Sequence, residues 1–336
     1  MTAMKIAGPA GNGLAPPEKI RLSFDPGRED KPRRRRRAGL MKTLLLITLM
    51  IAVTSCVRAR TVGLRPLGAP TYAYEEASID LPGGEPGVRL DGYFTRPKAE
   101  GRFPCAVLLH GKGGWWRAYL RYARELAGRG IASLILDYYS GHYVDLEGLS
   151  VPFEHRRKQF ELQNSDIRAA AAAFSRRPVC AGGQVGLIGF SLGADKAFRT
   201  AAAQPGIKAV VAYYGPYDYV SFIRYRVNAV HLALAGEEAL RWKSYLEKNS
   251  PLTMAGKVEA NVLLFHGVED RTIRAAQSVR MLAALMRRGE RSARMKLYGR
   301  AGHNFVLRRG LSAERSDSLR LTVAFLRENL TPKTGL

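Results

Sequence analysis

A G-x-S-x-G pattern near the middle of the chain, GFSLG at residues 189–193, holds a serine between two glycines. The apolar run VGLIGF leads into it, and the helix-favouring run LGADKAF overlaps its end. A strand-to-helix turn of this kind exposes the serine hydroxyl above the sheet edge, at a helix N-terminus that favours developing negative charge. We therefore predict that Ser191 is a nucleophile and not merely a turn residue.

A serine hydroxyl is a weak nucleophile and needs a base, which in turn needs an acidic residue to orient it. The predicted base is His303, in the glycine-flanked loop GRAGHNF between the last strand and the last helix. The predicted acid is Asp270, in the loop after the strand NVLLFHG. Asp270 is preferred to Glu269 because a G-x-x-D spacing after that strand is usual when the chain order is serine, acid, histidine.

The other histidines receive no catalytic role from the sequence. His110 and His266 each lie at the end of a predicted strand beside a glycine, where turn geometry is the expected role. No partner can be assigned to His142, His155 or His231.

An acyl transfer also needs amide donors for the oxyanion of its tetrahedral intermediate. The backbone N–H of Leu192, directly after the serine, is one candidate. The second is Lys112 in the loop HGKGGWW, with Gly113 as the next choice. Three aromatic residues are predicted to contribute to a substrate pocket: Trp115, in the same loop as Lys112, and Tyr214 and Tyr217, after the predicted strand KAVVAYYG.

Strands and helices alternate along the chain from about residue 76 to residue 332. CAVLLH and IASLILDYY are continuous apolar runs, which is typical of strands buried on both faces. ASID and VRLDGYFTRP flank the turn-rich LPGGEPG and predict a hairpin. The sequence predicts one α/β domain with a mostly parallel, twisted sheet and helices on both faces.

One connection is longer than the alternation of strands and helices requires. Residues 217–250 have helical spacing and many aromatic side chains, and they predict a small helical cap over the carboxyl edge of the sheet. Five aromatic side chains there either line a substrate pocket or pack the cap onto the domain: Tyr217, Tyr219, Phe222, Trp242 and Tyr245.

The N-terminus has the features of an export signal. Residues 1–40 form a leader rich in proline, glycine and charge, or an over-long start before Met41. Residues 41–55 form a signal peptide, with an apolar run of about ten residues, too short to span a bilayer. The ending VTSC resembles a bacterial lipobox and implies lipidation of Cys56, although an ordinary secretory signal with an incidental cysteine is the alternative. Residues 56–75 are predicted to be a tether.

The formal net charge of +24 is spread along the chain, and its one dense run is the arginine stretch at 33–37 in the leader. This lacks the basic and aromatic stripe of a nucleic-acid interface, and an anionic membrane is the better partner. Cys105 and Cys180 each precede a predicted strand, so they are either a disulfide or two buried thiols. No Cys or His spacing typical of a metal site is present.

Taken together, PCAVLLHGKGG, IASLILDYY, VGLIGFSLGA, VVAYYGP, NVLLFHGVED and GRAGHNF resemble the dienelactone hydrolase family of α/β-hydrolases, in family order. The resemblance implies an α/β-hydrolase fold without metal or organic cofactor. It also places the strands after Cys105 and Cys180 side by side, which keeps both the disulfide and the two buried thiols open. This chain departs from the family in carrying Ser191 where dienelactone hydrolases proper have cysteine. The residues that bind the lactone carboxylate also have no clear match.

These observations predict an exported, membrane-anchored serine hydrolase that faces the periplasm and cleaves small carboxylic esters through an acyl-enzyme. A serine peptidase of the prolyl-oligopeptidase type and a non-catalytic envelope binding protein are the alternatives. The sequence does not indicate an oligomeric state.

Overall fold

The computed structural model describes residues 64–114, 117–144, 151–226, 236–287, 289, 293–308 and 312–332. The predicted leader, the signal peptide, Cys56, Trp115 and His231 lie outside these residues. No helix in the described part of the chain has the length and apolar character needed to cross a bilayer.

Eight strands form one sheet, and seven helices of the described chain flank it. The strands are β1 (Tyr74–Pro82), β2 (Arg89–Pro97), β3 (Cys105–Leu109), β4 (Ala132–Leu136), β5 (Val185–Phe190), β6 (Ile207–Tyr213), β7 (Asn261–Gly267) and β8 (Ala293–Tyr298). The helices are α1 (Arg117–Ala127), α2 (Phe153–Ser175), α3 (Leu192–Ala203), α4 (Tyr219–Arg226), α5 (Glu237–Lys248), α6 (Ala276–Met286) and α7 (Ser312–Leu330).

The sheet order is β1-β2-β4-β3-β5-β6-β7-β8. β1 and β2 form the predicted antiparallel hairpin, with Tyr74 opposite Pro97, and β2 also runs antiparallel to β4. All the remaining neighbours are parallel. The direction of winding reverses at β3, and ligands of open α/β sheets bind beyond the carboxyl ends of the strands at such a reversal.

Both faces of the central strands β3 to β7 are buried, which explains their continuous apolar sequences. Side chains alternate along β3, so Cys105, Val107 and Leu109 enter one core while Ala106 and Leu108 enter the other. The first core packs under α2, α3 and α6, and the second packs under α1 and α7. The predicted α/β-hydrolase fold, with helices on both faces of a mostly parallel sheet, is confirmed.

Cys105 and Cys180 form a disulfide in the first core, with their Cα atoms 5.3 Å apart. Parallel pairing of β3 and β5, together with a bridge between Phe103 and Cys180, brings the two segments side by side. Of the two possibilities that the residues left open, the structure has the disulfide.

Residues 65–72, in the predicted tether, are held against the domain. The Arg65 N–H donates to Asp317 of α7, and the Thr71 and Tyr72 N–H groups donate to the Gly128 carbonyl. Leu67 packs against the second core. The chain is therefore fixed to the domain from Arg65 onward, before β1 begins.

The predicted cap region contains α4 and α5, with residues 227–235 outside the described part. Tyr219, Trp242 and Leu246 form a small core of their own with Phe160 of α2 and Val144. Phe222 and Tyr245 pack against this cluster, and the Trp242 and Tyr245 rings are stacked 5.4 Å apart. In this structure these aromatic residues fasten the cap to α2.

Candidate active site

Ser191 lies between β5 and α3 in a backbone conformation that few residues adopt. Its φ of 54° and ψ of −117° lie in a strained region for a residue with a Cβ. The turn is held by the Ser191 N–H, which donates to the Tyr213 carbonyl at 2.9 Å, and by the Ala194 N–H, which donates to the Ser191 carbonyl.

The two glycines of the pattern are required by close backbone contacts. A Cβ on Gly189 would lie 2.4 Å from the Gly193 carbonyl oxygen, and a Cβ on Gly193 would lie 2.0 Å from the Leu109 carbonyl oxygen. Both separations are far below van der Waals contact, so any larger residue would push α3 away from the sheet. This agrees with the close packing that the pattern predicted.

His303 lies between the serine and the acid. Its Nε2 is 3.1 Å from Ser191 Oγ, and its Nδ1 is 2.7 Å from Asp270 Oδ2. A carboxylate only accepts, so Nδ1 carries the proton and Nε2 is left to accept from the serine hydroxyl. The structure thus brings the three predicted residues together, in the hydrogen-bonding order that general-base activation of a serine needs.

Asp270 is buried and held on both carboxylate oxygens. Oδ1 accepts from the Thr272 and Ile273 N–H groups, each at 2.8 Å, while Oδ2 faces His303. Burial opposes ionisation, but the hydrogen bonds from His266, His303 and the Ile273 amide outweigh it and hold the pKa of the Asp270 carboxyl well below its usual range. Asp270 is therefore an anion that can stabilise a protonated His303, whereas Glu269 is exposed.

Positive φ values at non-glycine residues gather at this site. Within the described chain they occur at Ser191, at Tyr214 and at Asn304, next to His303. The Tyr214 ring packs edge-on against the His303 ring, with centroids 4.7 Å apart. Backbone strain is thus concentrated where the nucleophile and base are positioned, as is common at functional sites.

The predicted oxyanion donors belong to two segments next to the strand-to-helix turn at Ser191, which we call the elbow. Leu192 is the first residue of α3, where the N–H has no partner within the helix. The loop that holds Lys112 passes close to the serine: a Cβ on Gly111 would lie 3.4 Å from Ser191 Cβ. Tyr139 donates its hydroxyl hydrogen to the Lys112 carbonyl at 2.9 Å, which fixes this loop.

The predicted pocket residues have different surroundings. Tyr214 is fully buried against His303 and Phe305, so it contacts the site directly. Tyr217 is also fully buried, but its ring packs 5.2 Å from that of Phe198 in the first core. It is a core residue here, and Trp115 lies outside the described residues.

Two histidines brace the catalytic loops, a contribution that the sequence did not predict in detail. His266 donates from Nε2 to the Ile273 carbonyl at 2.8 Å, and its Nδ1 lies 2.7 Å from Ser278 Oγ, so it closes the loop of Asp270. The buried His110 ring stacks on Tyr138 at 3.9 Å, and its Nδ1 donates to the Gly111 carbonyl. In the sequence, the only indication of this role was that His266 and His110 each lie at the end of a predicted strand.

His142 has a partner that lies far along the chain. Its Nδ1 is 2.7 Å from Asp166 of α2, whose other oxygen accepts from the Gly84 N–H. This pair joins the β1–β2 turn to α2. Among the described residues, no group of three or more His, Cys, Asp or Glu side chains is placed to hold a metal ion.

The fold and the elbow place the protein in the α/β-hydrolase class. Residues 90–329, more than half of the chain, match the dienelactone hydrolase family, and the chain belongs to that family. Membership supports a hydrolase, and the position of Ser191 beside His303 supports a serine hydrolase. A search of curated proteins found no significant match.

Solved structures share the fold at low sequence identity. Dienelactone hydrolase from Anabaena variabilis is 22% identical, with a TM-score of 0.53 over 76% of this chain and 99% of its own. A dienelactone hydrolase-like promiscuous phosphotriesterase from metagenomic libraries is 19% identical, with a TM-score of 0.55 over 78% of this chain and 99% of its own. The acylaminoacyl peptidase of Pyrococcus horikoshii is 20% identical, with a TM-score of 0.60 over 78% of this chain. This chain spans only 43% of that peptidase.

Proposed function

We propose that the protein hydrolyses carboxylic esters through an acyl-enzyme on Ser191. His303 takes the hydroxyl proton as Oγ attacks the ester carbonyl, and it returns that proton to the leaving alcohol. Water then attacks the acyl-enzyme with His303 again as base, releasing the acid and the free serine. The observation that carries the proposal is the continuous hydrogen-bonded line from Ser191 Oγ through His303 to Asp270.

The oxyanion of each tetrahedral intermediate would be stabilised by the Leu192 and Lys112 N–H groups. The N-terminus of α3 adds a partial positive charge at the same point, worth about 0.3–1 kcal/mol at an exposed site and more when partly buried. Because Asp270 is held as an anion, it stabilises the imidazolium of His303 when charge develops.

A peptidase is the second candidate, because the structural neighbours include acylaminoacyl peptidases. The test is a panel of p-nitrophenyl esters of increasing acyl length, peptide anilides and phosphotriesters, each run with a Ser191→Ala control. The proposal expects turnover of esters well above that of anilides and phosphotriesters, and none with the control. Preferred cleavage of anilides would favour the peptidase, and ester turnover retained by Ser191→Ala would refute the acyl-enzyme.

We also propose that the protein is exported and held on a membrane by a lipid on Cys56. The support is the apolar run within residues 41–55 and the sequence VTSC that follows it and contains Cys56. Cys56→Ala should move the protein from the membrane fraction to the soluble fraction. Unchanged fractionation, with Cys56→Ser as a second variant, would refute the lipid anchor.

A further inference from the structure

The two loops that carry Asp270 and His303 form one continuous ridge above the carboxyl ends of β7 and β8. The Val268 N–H donates to the Tyr298 carbonyl at 2.9 Å, and the Glu269 N–H donates to the Ala301 carbonyl at 3.0 Å. The exposed side chains of these loops therefore lie on one surface beside the active site. We call this surface the rim; it comprises Val268, Arg271, Arg274, Arg300 and Arg308 of the two loops, with Tyr225 of α4, which contacts them.

The rim combines exposed cationic and apolar groups. All four of its arginines are exposed, and none forms an ion pair with a carboxylate of the described residues. The Arg274 guanidinium lies 3.9 Å from the centroid of the Tyr225 ring, and the Tyr225 hydroxyl donates to the Arg271 carbonyl. Val268 is 55% exposed beside them. Arginine with aromatic and aliphatic side chains suits the interface of an anionic lipid surface.

The N-terminal segment of the domain leads to the same edge. Tyr72 is bonded to Gly128, in the turn before β4 at the opposite edge of the sheet, and Arg327 near the end of α7 contacts this turn. From there the segment runs back along α7 until the Arg65 N–H donates to Asp317 Oδ1. Asp317 Oδ2 accepts from the hydroxyl of Tyr298, the last residue of β8. The chain therefore enters the domain near the edge that carries the rim.

Charge alone does not select this edge. The opposite edge also has exposed basic residues, among them Arg102, Arg176 and Lys257. Exposed apolar side chains occur at both edges as well, since Tyr72 at the opposite edge is 38% exposed, the same as Tyr225. What distinguishes the rim is its position beside the active site together with the nearby entry of the chain. Leu64 comes eight positions after Cys56 in the sequence, a length of chain that spans at most about 29 Å. An anchor at Cys56 would thus hold this edge within about that distance of the bilayer.

We infer that the rim faces an anionic membrane and that the active site acts on esters carried in that membrane. This inference rests on the proposed ester hydrolysis and on the proposed anchor. An arginine beside a charged bilayer strengthens binding about fivefold at physiological salt. The four arginines of the rim would together keep the active site facing the membrane, where the lipid-borne substrate lies.

Orientation is tested directly on full-chain protein, purified from membranes and reconstituted into vesicles of phosphatidylcholine and phosphatidylglycerol at 7:3. An environment-sensitive fluorophore is placed at Val268→Cys or, as the matched position at the opposite edge, at Lys257→Cys. The inference expects the probe at position 268 to be shifted to the blue and quenched several-fold less by aqueous iodide than the probe at position 257. Equal quenching at both positions would overturn it.

The substrate class is tested with two triple variants that remove equal charge. The rim variant carries Arg271→Gln, Arg300→Gln and Arg308→Gln, and the control carries Arg102→Gln, Arg176→Gln and Lys257→Gln. The rim variant should hydrolyse a long-chain ester in these vesicles at least about fivefold more slowly than the control. Both should hydrolyse a short soluble ester equally.

Equal rates of the two variants on the vesicle-borne ester would overturn the membrane orientation. Absence of ester hydrolysis in the parent protein would refute the proposed function instead, and the fluorescence result would still decide the orientation.

Discussion

Replacement of Asp270 by asparagine probes the triad with the least change in shape. Oδ1 of Asp270 accepts from two backbone N–H groups at 2.8 Å, so the amide oxygen of asparagine must take that place. The amide NH₂ then occupies the position of Oδ2, 2.7 Å from His303 Nδ1, and donates to it. The His303 proton moves to Nε2, which can no longer accept from Ser191.

The expected loss in kcat is about 10⁴-fold, the size seen when a triad histidine is held in the wrong tautomer. That corresponds to about 5 kcal/mol of lost transition-state stabilisation. The assay is hydrolysis of the best ester of the panel, with near-ultraviolet circular dichroism to confirm folding. Glu269→Gln is the matched control and should keep the parent rate. An Asp270→Asn variant that retains a tenth of the parent kcat, or an equal loss in the control, would refute the reasoning.

Three further predictions concern stability. Gly193→Ala should lower the free energy of unfolding by at least about 3 kcal/mol in urea denaturation, because its Cβ would lie 2.0 Å from a carbonyl oxygen; unchanged stability would contradict the packing. Burial lowers the pKa of Lys196 to about 7, so the buried charge destabilises the fold at pH 6, and this penalty fades as pH rises towards the unfolded value near 10.5. Lys196→Met should therefore raise Tm more at pH 6 than at pH 10, whereas the half-exposed control Lys208→Met should change Tm equally at both pH values. An equal rise in Tm for Lys196→Met at pH 6 and at pH 10 would contradict the argument. The double variant Cys105→Ala, Cys180→Ala should have a free energy of unfolding about 2–4 kcal/mol below that of the oxidised parent. It should be as stable as the parent protein reduced with dithiothreitol, which thermal unfolding with and without the reductant will show.

Local sequence patterns were enough to predict the sheet and the elbow. Strands buried on both faces, such as β3, have continuous apolar sequences. The hairpin of β1 and β2 has alternating polar and apolar residues on either side of a turn. The serine, acid and histidine were found because each follows a strand whose carboxyl end must lie at the same edge of a parallel sheet. The fold thus converts distant sequence positions into neighbours in a predictable way.

Contacts between side chains from separate elements were not predictable in this way. The pairing of His142 with Asp166, and the docking of residues 65–72 along α7, depend on how loops settle on helices, which has no periodic signature. The same holds for Trp242, whose packing against Phe160 is one of the two possibilities that the sequence left open. A polar or aromatic side chain indicates that it needs a partner, but the sequence does not name the partner.

Labelling with a fluorophosphonate tests the central claim most directly, because the reagent reacts only with a serine that its own site has activated. Intact-mass and peptide analysis should find one adduct per chain, on the peptide that contains Ser191. Ser191→Ala should take no label, and His303→Ala should take it far more slowly. Failure of the folded parent protein to react, or equal labelling of Ser191→Ala, would contradict the assignment of Ser191 as the nucleophile.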